Sequence, residues 1–129
     1  MRVAGAARKA RGGVSGGRVA TLFRAFSDRN RLRILHVLRH GEICVGDLVE
    51  VLRIPQARVS RHLAYLRKTG LVQARKNGLW IYYSLAPARG GVHNTLLACL
   101  SGCFRELPEF AADAKRCGAT KKAGRCCPP

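Results

Sequence analysis

Cys99 and Cys103 stand four residues apart in a segment where Leu96, Leu100 and Leu107 recur at helical intervals. Side chains four apart on a helix share a face, with Cβ atoms ~5–6 Å apart. A disulfide asks for ~3.8 Å between Cβ atoms. The pair is therefore badly placed to oxidise and well placed to hold one soft ion between two sulfurs. Thiolates select Cu(I), Zn or thiophilic metalloids over Mg or Ca. The competing reading is two ordinary cysteines in a dimer interface. Cys44 reads as a core cysteine at a helix start, and Cys117 stands beyond Pro108. Cys126 and Cys127 are adjacent near the end of the chain and make at best an auxiliary chelate. His36 and His40 are also four apart, but their neighbours are basic and repel a cation, so they read as packed or solvated side chains. A Cys-His nucleophile would need an orienting carboxylate and a substrate pocket, a set this small chain does not offer, and no catalytic site or catalytic cofactor is expected.

A second set of side chains suits a polyanion. Gln56, Ala57, Arg58, Ser60, Arg61 and His62 open a helical pattern just after Pro55. Gln pairs bidentately with adenine and Arg with guanine, and small Ala57 and Ser60 let the backbone approach. Arg75, Lys76 and Asn77 offer cations and a donor further along, beside an Asn-Gly pair. A solvated basic helix face would look the same in isolation. The order of the surrounding elements favours the DNA-reading option.

Those elements can be placed from the pattern. A helix is expected from Arg18 to Phe26. Ser27 or Asp28 caps the next, which carries Leu32, Leu35 and Leu38 and stops near Gly41. Val45 to Leu52 makes a third, and Arg53-Ile54-Pro55 the turn. The fourth runs from Gln56 to Thr69 with Val59, Leu63 and Leu66 inward, ended by Gly70. Leu71–Arg75 and Leu79–Leu85 read as strands joined at Lys76-Asn77-Gly78, since Asn-Gly is a strong hairpin signal. Asn94 is expected to cap a last helix ending at Leu107, stopped by Pro108. The fold class is mainly α with a β-hairpin wing, a winged helix-turn-helix dimerising through its terminal helices. Residues 1–17 are expected to be a disordered basic tail, 18–107 the DNA-binding and dimerisation domain, and 108–129 a flexible Cys/Lys-rich tail.

Charge agrees with this reading. The 129 residues carry a net +17. Residues 1–18 and 114–129 each hold five basic groups and no acid, which leaves +7 on the middle of the chain. The folded part is basic without its ends, and duplex DNA is the expected partner. No apolar run of ~18 residues exists to span a bilayer. No secretory signal is visible, so the cytoplasm is the expected location and the six cysteines are expected to stay reduced.

The run of motifs resembles the ArsR/SmtB family of metalloregulatory repressors. It comprises Ser27-Asp28, Arg31-Leu32-Arg33-Ile34-Leu35, Glu42-Ile43-Cys44-Val45-Gly46-Asp47-Leu48, Pro55-Gln56, Val59-Ser60-Arg61-His62-Leu63, Leu66-Arg67, Gly70-Leu71-Val72 and Gly78-Leu79-Trp80-Ile81-Tyr82-Tyr83. The resemblance covers about 65 residues near the centre of the chain. It implies a homodimer that leaves its operator when a metal or metalloid binds. Where arsenic and cadmium sensors of the family often show Cys-Val-Cys-Asp-Leu, this chain has Cys44-Val45-Gly46-Asp47-Leu48, one ligand short. The family's zinc sites on the last helix need Asp and His at fixed spacing, and only His93 stands there. The resemblance implies As(III) held by three thiolates. Here these are expected to be Cys99, Cys103 and a third, Cys117 first and Cys44 next. A Cd(II), Pb(II) or redox sensor of the same fold is the alternative. In another class stands a basic structural protein of an RNA particle.

Overall fold

The computed structural model describes residues 15–102, 104 and 106–123. Most of the expected basic tail, together with Cys103, Cys126 and Cys127, falls outside the described residues. In chain order the elements are α1 (Gly16–Ala25), α2 (Arg29–Leu38), β1 (Ile43–Cys44), α3 (Val45–Leu52), α4 (Gln56–Lys68), β2 (Val72–Asn77), β3 (Trp80–Leu85), α5 (Gly91–Gly102) and α6 (Pro108–Ala123).

Local chemistry sets the helix ends. Ser15 caps α1 by accepting from the Arg18 amide, and Asp28 caps α2 by accepting from the Arg31 amide. α3 ends at Arg53, a left-handed residue with φ 59°. Pro55 then precedes α4, its carbonyl accepting from the Arg58 and Val59 amides at 3.0 and 3.1 Å. Gly70, at φ +82°, turns the chain out of α4.

The strands form one antiparallel sheet in the order β1-β3-β2. β2 and β3 pair from Val72 with Leu85 to Asn77 with Trp80. β1 adds Ile43 opposite Tyr83 and Cys44 opposite Tyr82. This third strand was not expected from the sequence, because two residues show no alternation. The hairpin also differs by one position. Asn77 still pairs with Trp80, so Gly78 and Leu79 make the turn, and only Gly78 takes positive φ.

The core gathers Ile34, Leu35 and Leu38 of α2, Leu48 and Leu52 of α3, and Val59, Leu63 and Leu66 of α4. Each such side chain contributes ~1.5–3 kcal/mol when fully buried. Leu22 of α1, Leu100 of α5 and Cys117 of α6 join the same cluster.

Two expectations at the C-terminal side are corrected. α5 begins at Gly91 rather than at an Asn94 cap. Residues 108–123, expected as a flexible tail, form α6, and Pro108 opens this helix instead of only closing the previous one. The reason lies in the inward face of α6. Phe110, Asp113, Cys117 and Thr120 are buried at helical spacing, and two of these four are polar. Asp113 is 0% exposed and is held by Arg33 (Nε to Oδ2, 2.8 Å) and Arg116 (Nη2 to Oδ1, 2.9 Å).

Candidate nucleic-acid interface and thiol positions

α3, the turn at Arg53–Pro55 and α4 form a helix-turn-helix, and β2–β3 form the wing beside it. Gln56, Ala57, Arg58, Ser60 and Arg61 are all exposed on the first turns of α4. The inward face of that stretch is carried by buried Val59 and Leu63. This arrangement presents amide and guanidinium donors outward from the helix end that enters a major groove in such folds.

Two expected DNA contacts are engaged within the protein. His62 turns towards α2, its Nε2 3.9 Å from Oδ1 of Asp28. Burial holds the His62 imidazole below its ordinary pKa; Asp28 pulls it up, and Arg31, Arg61 and Arg58 push it further down. Arg75 is bound by both oxygens of Glu42, at 2.8 and 2.9 Å, and its guanidinium lies 4.8 Å over the Tyr82 ring. That bidentate bond holds the Glu42 carboxyl below its usual range. Arg75 therefore braces the wing against the segment before β1, and exposed Lys76 and Asn77 remain at the wing tip. Between wing and recognition helix lies a groove of about 320 Å³, lined by Cys44, Gln56, Leu79, Trp80, Ile81 and Tyr83 among others.

Sequence reasoning missed the braces behind α4. Arg31 donates from Nε to the Ala25 carbonyl at 3.0 Å and lies 4.4 Å over the Tyr65 ring. Arg33 reaches the Leu52 carbonyl at 2.7 Å, and Arg116 donates to that of Val51. Both carbonyls lie at the end of α3, just before the turn. Helical spacing could have flagged Arg33 as inward, since apolar Val37 follows it by four positions and is buried.

The thiols are spread over three elements. Cys99 is exposed on α5. Cys117, 2% exposed, lies on the face of α6 that packs over α3. Burial pushes its thiol up in pKa; Lys121 lowers it and Asp47 of α3 raises it. Cys44, 2% exposed, caps the start of α3 and is disulfide-bonded, where a free thiol was expected. Among the described residues no three His, Cys, Asp or Glu side chains are grouped to hold a metal. His93 is buried on α5 and accepts at Nδ1 from the Arg89 amide at 3.0 Å.

On the far side, α1 and α5 expose an apolar groove of about 440 Å³ lined by Phe23, Gly91, Val92, Thr95 and Leu96. Phe23 is 54% exposed there. Among the described residues no helix is long and apolar enough to cross a membrane.

Known proteins resemble this chain in sequence and fold. The profile described as bacterial regulatory protein, arsR family, matches residues 28–74, which run from the α2 cap into the wing. The arsenic resistance transcriptional regulator ArsR2 of Pseudomonas putida is 35% identical over 109 residues, covering 82% of this chain and 95% of its own. ArsR1 of the same organism is 42% identical over 67 residues, and the chain spans only about half of it, 52% against 51% of this chain. Among solved structures, HlyU from Vibrio cholerae superposes with a TM-score of 0.61 at 31% identity, covering 68% of this chain and 92% of its own. These relatives are named as regulators of transcription and not as enzymes, and the likeness to HlyU carries the winged-helix fold. The chain belongs to the arsR family of bacterial regulatory proteins.

Proposed function

We propose that this protein is a homodimeric repressor that holds operator DNA through α4 and the wing and releases it when As(III) binds cysteine thiols. The ligands are Cys99 and Cys103 with Cys117, and Cys44, once its disulfide is reduced, as the next choice. The arsenic-resistance names of relatives at 35% and 42% identity support the inducer. The observation that carries the switch is the position of Cys117. It is buried on α6 over α3, one residue from Arg116, which holds the Val51 carbonyl at the end of α3. A ligand that draws Cys117 towards α5 pulls on that contact and so on the turn before α4.

The state of the Cys117 thiol favours arsenite over Cd(II). Arsenite is neutral As(OH)3, and three thiols condense with it to As(SR)3 and three waters. No proton is released, so a thiol kept protonated by burial is no obstacle. Cd(II) needs thiolates and must drive their protons off. Labelled operator DNA followed by fluorescence anisotropy tests the proposal. As(III) should release the wild type, while Cys99→Ser, Cys103→Ser and Cys117→Ser should bind DNA and ignore arsenite. A Cys117→Ser protein that responds normally would move the third ligand to Cys44. Normal response by the Cys99 or Cys103 variant would reject the site.

A redox switch is the second reading, favoured by the disulfide at Cys44. Cys44 lines the groove between Gln56 and the wing, so its oxidation state bears on how the two DNA-contacting parts are spaced. The same anisotropy assay with diamide or dithiothreitol in place of arsenite separates the two.

A further inference from the structure

Behind the recognition helix, at the end away from the bases, two arginines and a histidine converge with no acid among them. Arg18 sits in the first turn of α1 and His93 in the first turn of α5, with Arg89 just before α5. Gly70, where the chain leaves α4, sits beneath both guanidinium groups. A Cβ on Gly70 would stand 2.8 Å from Arg89 Nη2 and 3.3 Å from Arg18 Nη2. Two cationic nitrogens therefore crowd one point over a residue without a side chain.

Three features show that this cluster is not self-contained. Arg18 Nη1 donates to the Thr69 carbonyl, but its Nη2 is buried with no partner among the described residues. His93 is 0% exposed; its Nδ1 accepts from the Arg89 amide, which places the proton on Nε2, and Nε2 is also buried without a partner among the described residues. Among the described residues neither arginine has an ion pair with Asp or Glu. A buried unsatisfied donor is destabilising, and facing like charges add to that. The charged groups about His93 are Arg18 and Arg89, and burial together with both of them lowers its pKa, so it donates as a neutral imidazole.

We propose that Arg18, Arg89 and His93 form a binding site for a small tetrahedral oxyanion of the phosphate class. The ion accepts from Arg18 Nη2, Arg89 Nη2 and His93 Nε2, satisfying both buried donors and separating the two cations. Guanidinium groups match such oxygens in geometry as well as charge. The first turns of α1 and α5 both supply ligands, and the positive ends of helix dipoles favour an anion there. DNA backbone phosphate is not the occupant. Gly70 follows Gln56 by fourteen positions along a helix rising ~1.5 Å per residue, which puts the cluster ~20 Å from the base-reading turn.

Inorganic phosphate titrated calorimetrically into the full chain, against chloride at equal ionic strength, tests the site. Saturable binding is expected at one ion per chain. Arg89→Ala should weaken it by about tenfold or more, the effect of losing one charge-assisted bond. Arg18→Lys, which keeps the charge and the fold, should weaken it too, while Arg24→Ala elsewhere on α1 should not. A new exchange-protected imidazole N–H of His93 should appear by nuclear magnetic resonance on adding phosphate. Binding that is unsaturable, or equal in Arg89→Ala and wild type, overturns the proposal. So does loss of bound phosphate on adding saturating duplex DNA, which would assign the cluster to the DNA backbone.

Discussion

Arg58, Arg61, Arg75 and Lys76 have similar charge and different freedom. Arg75 is spent on Glu42 and Tyr82, whereas Arg58, Arg61 and Lys76 are exposed with no ion pair to Asp or Glu among the described residues. A guanidinium on the recognition helix reads base edges, so Arg58→Ala and Arg61→Ala should each cost ~1–3 kcal/mol on the operator and relax sequence choice. Lys76→Ala at the wing tip should weaken operator and random duplex alike and shallow the salt dependence by ~0.9 in log–log slope. Anisotropy titrations on both DNAs at three salt concentrations check this; an unchanged ratio of specific to nonspecific affinity in the Arg variants counts against base reading. Exposed residues were legible in the sequence because charge on a helix start is a strong pattern. The partners of His62 and Arg75 were not, since Asp28 and Glu42 meet them only after the chain has folded back 34 and 33 positions later.

Among the elements, α3, α4 and the hairpin were legible because apolar residues recur there at one clear period. α6 was not. Its buried stripe holds Asp113 and Thr120 as well as Phe110 and Cys117, so apolar spacing is broken where the helix is most tightly held. Pro108 reads equally as a stop and as a first turn. What makes an inward Asp113 affordable is the pair of guanidinium groups from Arg33 and Arg116, whose remaining donors serve the last carbonyls of α3. Removing one member of a buried ionic network leaves uncompensated charge, typically ~3–5 kcal/mol. Asp113→Ala should therefore destabilise the protein by about 3 kcal/mol in urea unfolding followed by circular dichroism. It should also weaken operator binding, because the turn that aims α4 loses its tether. A loss below about 1 kcal/mol would mean that the network is mostly solvated. The thiol arrangement was legible only in part. The expected pairing of Cys99 with Cys103 falls outside the described residues, since α5 ends at Gly102, while the burial of Cys117 over α3 depends on α6 existing at all.

At the scale of the whole molecule, two properties follow from where apolar and titratable groups end up. The groove of Phe23, Val92 and Leu96 between α1 and α5 suits a second copy of the same surface, as two-fold dimers require. Phe23→Glu should yield monomers by sedimentation velocity at micromolar concentration and bind operator DNA far more weakly, with the wing and core intact by circular dichroism. The response to pH depends on the histidines. Burial holds His36 below its ordinary pKa, helped by Arg39 and His40 and opposed by Asp113, with its ring edge-on to Phe110 at 5.3 Å. Burial likewise lowers His93 and His40, with nearby cations adding to it, and lowers His62 against the opposing pull of Asp28. An unfolded histidine titrates near ~6.5. Between that value and the lower folded one, the unfolded chain binds more protons, so stability rises with pH across the window. The contribution is fully present above the unfolded value and is lost as pH falls below it. Urea midpoints in phosphate-free buffer should therefore fall steadily from pH 7.5 to 5.5. His36→Leu keeps the apolar contact with Phe110 and removes one titrating group, so its midpoint should fall less over the same interval. A parallel decline in both proteins would place the acid sensitivity in the other three histidines.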